Sequence, residues 1–153
     1  MNDILEILIT DRTNADFLHL VTLLDAELDA ANQETHQLCN QYNTVDKLLL
    51  VVLILVEGIP AACGACKEYD ASTLELKRIF VKEEYRGKGL SKRLLAELER
   101  QGKEHGYSTA VLETGKHLKN AMALYSKLNY KIIPSYGPYK DIKDSICMKK
   151  ELD

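Results

Sequence analysis

The chain has 153 residues, 46% of them hydrophobic, and a formal net charge of −3. That is about one domain's length, enough to bury a sizeable core, and the small charge argues against a broad nucleic-acid surface or a membrane coat. The longest apolar run, 48–56, is too short to span a bilayer, and Met1 leads into a strand-like segment instead of a charged and then apolar leader.

Residues 4–9 alternate as a strand does. Residues 13–30 carry Phe17, Leu20, Val21, Leu24 and Leu28 at helical spacing, with Thr13 or Asn14 as the cap. The polar stretch 33–43 is ambiguous, a second helix and then a loop. The run 48–56 is a strand buried on both faces, and 61–69 is its partner across a hairpin-like turn at Glu57-Gly58-Ile59-Pro60. After a turn at 69–72, residues 73–81 form another strand. A glycine segment then opens directly into an amphipathic helix that ends near His105-Gly106, where Gly106 suits a left-handed cap. Residues 109–114 are a strand. Residues 118–128 are a helix with Ala121, Leu124, Tyr125 and Leu128 along one side, and Asn129 tolerates the positive φ that ends it. A short strand over 130–133, a loop over 134–139 and a last strand over 142–149 complete the chain. The order predicts a mixed sheet with helices on its faces. No linker or repeat divides it, so 1–153 reads as a single domain.

Cys39, Cys63, Cys66 and Cys147 have no framework spacing and read as reduced thiols of a cytoplasmic protein. Cys63 and Cys66 have the spacing of a metal or redox pair. There is no second pair, and strand positions three apart point to opposite faces. The better account is two small strand residues. His19, His36, His105 and His117 show no metal spacing and read as surface or packing residues, so no metal is expected.

The segment EYRGKGLSKRLLAELER, 84–100, carries the chemistry. The first turn of a helix leaves amides unpaired at the positive end of its dipole. Glycines there let a ligand reach the backbone, and such amides cradle phosphate or pyrophosphate. Arg86, Lys88, Lys92 and Arg93 add charge around the rim. The segment is not a Walker loop, because Gly87-Lys88 is not followed by Ser or Thr, and it lacks the dinucleotide G-x-G-x-x-G.

Arg86-Gly87-Lys88-Gly89-Leu90-Ser91 resembles the acetyl-CoA signature of the GCN5-related N-acetyltransferase (GNAT) family, Gln/Arg-x-x-Gly-x-Gly/Ala, with Ser91 in the last place. LELKRIFVKEEYRGKG looks like the family's fourth strand and loop. AMALYSKLNY looks like its A-x-x-L-Y-x-x-x-G-F/Y motif, with Asn129 for glycine. The resemblance runs from about residue 63 to 133. It implies an α/β GNAT fold: a mixed, mostly antiparallel sheet of about seven strands, helices on both faces, and a splay between the fourth and fifth strands.

The resemblance also implies an acetyl-CoA-dependent N-acetyltransferase working by direct transfer in a ternary complex. The amides of Gly87, Lys88, Gly89, Leu90 and Ser91, with Arg86 beside them, would hold the pyrophosphate. Ile79 and Val81 would run along the pantetheine, and the Ile79 amide would polarise the thioester carbonyl. Arg78 either flanks that amide or is a surface strand charge. Glu75 is the base or a member of a cross-strand ion pair, and Glu113 is its rival. Tyr125 stands where the family's tyrosine protonates the departing thiolate. The family's frequent Asn falls on Leu118, with Asn120 or Lys119 as substitutes. Glu34, Tyr42, Glu113, Thr114, Tyr136 and Tyr139 could line an acidic, aromatic acceptor pocket. The implied partner is a small-molecule amine, an amino acid or a polyamine. The alternatives are a protein N-terminal or lysine acetyltransferase and a non-catalytic acyl-CoA-binding module. A homodimer would pair the long apolar strand or the final strand across its boundary.

Overall fold

The computed structural model of the protein describes residues 4–40 and 47–153; Tyr42, one of the expected pocket residues, lies outside them, as does 41–43 of the ambiguous stretch. The elements are β1 (Leu5–Thr10), α1 (Ala15–Ala31), α2 (Gln33–Asn40), β2 (Leu50–Val56), β3 (Ile59–Asp70), β4 (Thr73–Val81), α3 (Leu90–Glu104), β5 (Thr109–Gly115), α4 (Lys119–Lys127), β6 (Lys131–Ile133) and β7 (Ser145–Glu151). The seven strands form one sheet in the order β1-β2-β3-β4-β5-β7-β6. Every neighbouring pair is antiparallel except β4 and β5. The mixed α/β sheet with helices on both faces is therefore as expected. Of the strands considered for a dimer boundary, β2 lies between β1 and β3, and β7 lies between β5 and β6, which pairs with it at Cys147, Met148 and Lys149.

Local chemistry sets most boundaries. Asn14 caps α1, its side chain accepting the Phe17 N–H at 2.9 Å, which satisfies one of the amides a helix start leaves unpaired. Glu57 (φ 51) and Gly58 (φ 79) are both left-handed, the pairing that suits a two-residue hairpin. The turn is therefore shorter than anticipated, and β3 begins at Ile59 instead of residue 61. The last strand starts later than predicted, because Ile142 closes a 3-10 turn, its N–H bonding the Tyr139 carbonyl at 3.1 Å.

The core has two sides. Phe17, Leu20 and Leu24 of α1 cover Val51, Leu53 and Phe80. Leu94, Leu95 and Leu98 of α3 cover the other face with Val52, Ile54 and Leu76, each buried leucine contributing about 2 kcal/mol. Cys63 belongs to the first side and Cys66 to the second, the opposite orientations expected of them. Burial pushes both thiols up to about 12. Among the described residues no helix is long and apolar enough to cross a membrane.

Two irregularities open the sheet. β4 and β5 pair only at Thr73/Thr109, Leu74/Ala110 and Glu75/Val111, and no pairing joins them beyond Glu75. On the other side of β4 the register with β3 jumps from Ala65/Lys77 to Cys63/Phe80, so Arg78 and Ile79 face Gly64 alone. This is a β-bulge, which bends and twists its strand. Arg78 sits in the left-handed region at φ 58, a conformation that costs a non-glycine residue about 1–3 kcal/mol. Gly64 makes room for it: a Cβ there would lie 2.8 Å from Leu98 Cδ1 and 3.0 Å from Ile79 Cδ1. Gly64→Ala should lower stability by about 1–3 kcal/mol in denaturant titration; an unchanged midpoint would mean that the bulge does not depend on the missing side chain.

Candidate active site

The gap between β4 and β5 holds a cleft of about 740 Å³. At one end it meets Val81, Arg86 and Ser91, next to the glycine turn; at the other it meets Glu75, Lys77, Glu113 and Tyr139.

At the turn, Gly87 and Gly89 both have φ 78, and beyond the chain neighbours a Cβ on either would meet no atom of the described residues within 4 Å. Their backbone borders open space. α3 follows at Leu90, and its cap residue Gly89 supplies no side-chain hydrogen bond, so the first amides of the helix are left for another partner. Leu90 points its side chain into the core, which leaves its main chain to face a ligand. Arg86 is committed to the protein. Its Nη2 reaches both Glu27 carboxylate oxygens at 2.9 and 2.7 Å, and its Nε donates to the Val81 carbonyl at 2.9 Å. It therefore ties the turn to α1 and β4, and Glu27 offsets the rim charge expected of it. Lys88 Nζ lies over the Tyr85 ring, 5.6 Å from its centre.

Ile79 and Val81 line the cleft along the stretch of β4 where β5 has stopped pairing. Arg78 is not a surface charge. It is buried and ion-paired to Asp25 of α1, and its Nε has no hydrogen-bond partner among the described residues. The bulge turns it inward, which alternation along a regular strand would not predict.

Tyr125 of α4 lines the cleft and stacks edge-on against Tyr130, ring centres 6.0 Å apart. Burial, helped by the negative charge of Glu113, pushes its hydroxyl up to about 12. Leu118, Lys119 and Asn120 at the start of α4 also reach the cleft.

At the far end, Glu75 Oε2 accepts the Tyr136 hydroxyl at 2.7 Å. Lys67 Nζ lies 3.8 Å from its Oε1 and Lys77 Nζ 4.0 Å from its Oε2. The cross-strand pair considered for Glu75 is present, and Glu75 lines the cleft as well. Lys77 donates to the Tyr139 hydroxyl at 2.8 Å, and burial draws its ammonium below the usual lysine range. Glu113 accepts the Ser145 hydroxyl at 2.5 Å, and burial holds its carboxyl above the usual carboxylate range.

Of the expected acceptor-pocket residues, Glu113, Thr114 and Tyr139 line the cleft, while Tyr136 stands behind Glu75. Glu34 is exposed on α2 and does not line the cleft among the described residues; Thr35 and His36 reach it. His36 bridges two aspartates, 3.4 Å from Asp25 and 3.3 Å from Asp29. Sequence reasoning missed Lys77, although it sits two residues from Glu75 and strand alternation puts both on one face. It missed His36 because the acidic partners are on another helix.

This chain belongs to the acetyltransferase (GNAT) family, whose profile matches residues 6–130. It is 33% identical over 96 residues to an IAA acetyltransferase of Azospirillum brasilense, a match covering 62% of this chain and 63% of that relative. The match thus spans less than two thirds of that protein's length. A Klebsiella pneumoniae structure assigned to the acyl-CoA N-acyltransferases is 29% identical, with a TM-score of 0.82 and coverage of 98% of this chain and 99% of that one. A GNAT family acetyltransferase from Elizabethkingia anophelis, solved with acetyl-CoA bound, shares the fold at 20% identity and a TM-score of 0.74, covering 97% of this chain and 98% of its own.

Proposed function

We propose that the protein is an acetyl-CoA-dependent N-acetyltransferase that moves an acetyl group to the primary amine of a small molecule by direct attack in a ternary complex. The observation that supports this reading is one cleft, opened by the divergence of β4 and β5, that runs from Arg86 and Ser91 beside the glycine turn to the carboxylates of Glu75 and Glu113. Acetyl-CoA supplies the acetyl group as a thioester. The amides from Gly87 to Ser91 would hold its pyrophosphate, and beyond the chain neighbours no atom of the described residues stands within 4 Å of where a Cβ on Gly87 or Gly89 would project. The open edge of β4 from Ile79 to Val81 would hydrogen-bond the pantetheine arm as an added strand. The Ile79 N–H, at the bulge, polarises the thioester carbonyl, an effect worth on the order of 3 kcal/mol.

An alkylamine is mostly protonated near neutral pH and attacks only after losing a proton. Glu113 takes it, and Tyr125 gives a proton to the departing thiolate. Glu113 suits the base better than Glu75 does, because one hydroxyl holds it, whereas Glu75 is held by Tyr136 and flanked by two lysines. A carboxyl raised toward neutrality is also the better general base. Tyr139, Cys39 and Thr35 line the far end, which suits a small amine more than a protein tail. Buried free thiols fit the reducing cytoplasm, and one sheet carries both ends of the site, so residues 1–153 work as one domain.

Two measurements test the reading. Calorimetric titration with acetyl-CoA, followed by thiol release on a panel of amines and peptides, separates the classes. Tight binding with no turnover would indicate an acyl-CoA-binding module, and turnover on peptides alone a protein acetyltransferase. Glu113→Gln should lower kcat/KM by about a hundredfold and remove the rise of kcat/KM with pH that its carboxyl produces. The same group has a stability signature. Its folded value is raised, so its favourable contribution is present below the unfolded carboxylate value and lost as pH rises through the folded one. Glu113→Gln should therefore raise the melting temperature near pH ~7 and not near pH ~4. A pH limb that survives the substitution would move the base to Glu75.

A further inference from the structure

The acceptor end of the cleft contains opposite charges that do not satisfy one another. Lys77 is 5% exposed at its side chain, and among the described residues the one carboxylate oxygen within 4.0 Å of its Nζ is Glu75 Oε2, beyond hydrogen-bonding distance. That oxygen already accepts the Tyr136 hydroxyl. An ammonium has three donors, and the hydrogen bond Lys77 makes among the described residues is to the neutral Tyr139 hydroxyl. The next residue on β4, Arg78, also holds a buried donor, its Nε, without a partner. Asp25 takes the other end of that guanidinium. Leaving such donors unmatched away from water is costly. Across the gap, Glu113 receives one hydroxyl on Oε2. The cleft thus offers spare donors on β4 and a spare carboxylate oxygen on β5, the side that also holds Tyr125 within the field of Glu113.

A ligand that fits both walls carries an anionic group and an amine. We propose that the acceptor is an amine bearing its own carboxylate, an amino-acid-like zwitterion, with its carboxylate on Lys77 and its amine toward Glu113. This rests on the acetyl-transfer reading above. A polyamine is the wrong complement, because its second ammonium would meet Lys77 where water is scarce. An uncharged alkylamine leaves the ammonium unmatched. Lys77 is then a specificity-determining residue, and a charge-assisted hydrogen bond from it is of the size that discriminates about tenfold or more.

The test compares α-, β- and γ-amino acids with their own amides, which differ in the carboxylate alone, and adds spermidine and putrescine. The amide's amine is the less basic and more often free, so any preference for the acid works against intrinsic reactivity. Wild type should favour at least one acid over its amide by about tenfold or more in kcat/KM. Lys77→Met, which keeps length and loses charge, should abolish that preference while still turning over the amide. Lys77→Arg should keep it. The same comparison is made by calorimetry with N-acetyl amino acids and N-acetyl amino-acid amides in the presence of CoA, which needs no turnover. If no amine releases thiol, the acetyl-transfer reading fails, and the binding ratio still decides this proposal. Wild type preferring amides or polyamines, or a ratio that Lys77→Met leaves unchanged, would overturn it.

Discussion

Gly89→Val should abolish acetyl-CoA binding while the chain still folds. Two effects that a glycine substitution usually confounds, backbone strain and steric exclusion of a ligand, come apart at this position. At φ 78, Gly89 is in the left-handed region, so a β-branched residue there carries backbone strain of about 1–3 kcal/mol. That strain is the main folding penalty, because a Cβ at this position meets no described atom within 4 Å beyond its chain neighbours. For a chain of this length the melting temperature should fall by about 5 °C. Binding should suffer much more. The valine methyls would occupy the space from which a diphosphate approaches the first amides of α3, and losing two hydrogen bonds to a charged ligand is worth about 3–4 kcal/mol. Calorimetry should read at least a hundredfold loss of affinity. Gly87→Val, at the same φ and equally open, should behave alike if both amides face the ligand. Unchanged affinity in a well-folded Gly89→Val protein would mean that the diphosphate binds elsewhere.

The features legible in the sequence are those written in a few neighbouring residues. Asn14 before an apolar helical stripe gave a cap, and Asn129 after Leu128 gave a positive φ of 77. The glycine turn was readable because strand, glycines and amphipathic helix follow one another without a gap. The bulge was not, since it depends on register between β3 and β4, and register is decided by what packs across the sheet. Its sole local trace is Gly64, the small residue that leaves room for Ile79. Arg78 shows the consequence. Regular alternation left it undecided between a flanking group and a surface charge, whereas the extra residue in β4 buries it against Asp25 of α1. Glu34 failed as a pocket residue for a related reason. The rotation of α2 that presents Thr35 and His36 to the cleft is set by its docking beside α1, and eight polar-rich residues carry too little apolar pattern to announce it. Glu75 was anticipated as base or ion pair. It forms the pair, and the contacts that hold it are the reason Glu113 is proposed as the base in its place.

Tyr125→Phe should separate catalysis from binding. Phenylalanine keeps the edge-on contact with Tyr130, and among the described residues the hydroxyl makes no hydrogen bond whose loss would disturb the fold. Stability should change by less than about 1 kcal/mol, as for a near-isosteric substitution. Removing a general acid costs about a hundredfold or more, so kcat should fall by that factor while acetyl-CoA affinity stays within about twofold. The pH dependence sharpens the test. Burial holds the Tyr125 proton up to about 12, so the group stays protonated across the working range, and as the proposed donor it would act without titrating. The ratio of wild-type to variant kcat should therefore be flat from about pH 6 to about pH 10. A ratio that collapsed near pH ~9 would mean that the hydroxyl ionises there, against the burial that defines its role. If kcat and acetyl-CoA affinity fell together, Tyr125 would be packing the cleft wall, and the thiolate would take its proton from water.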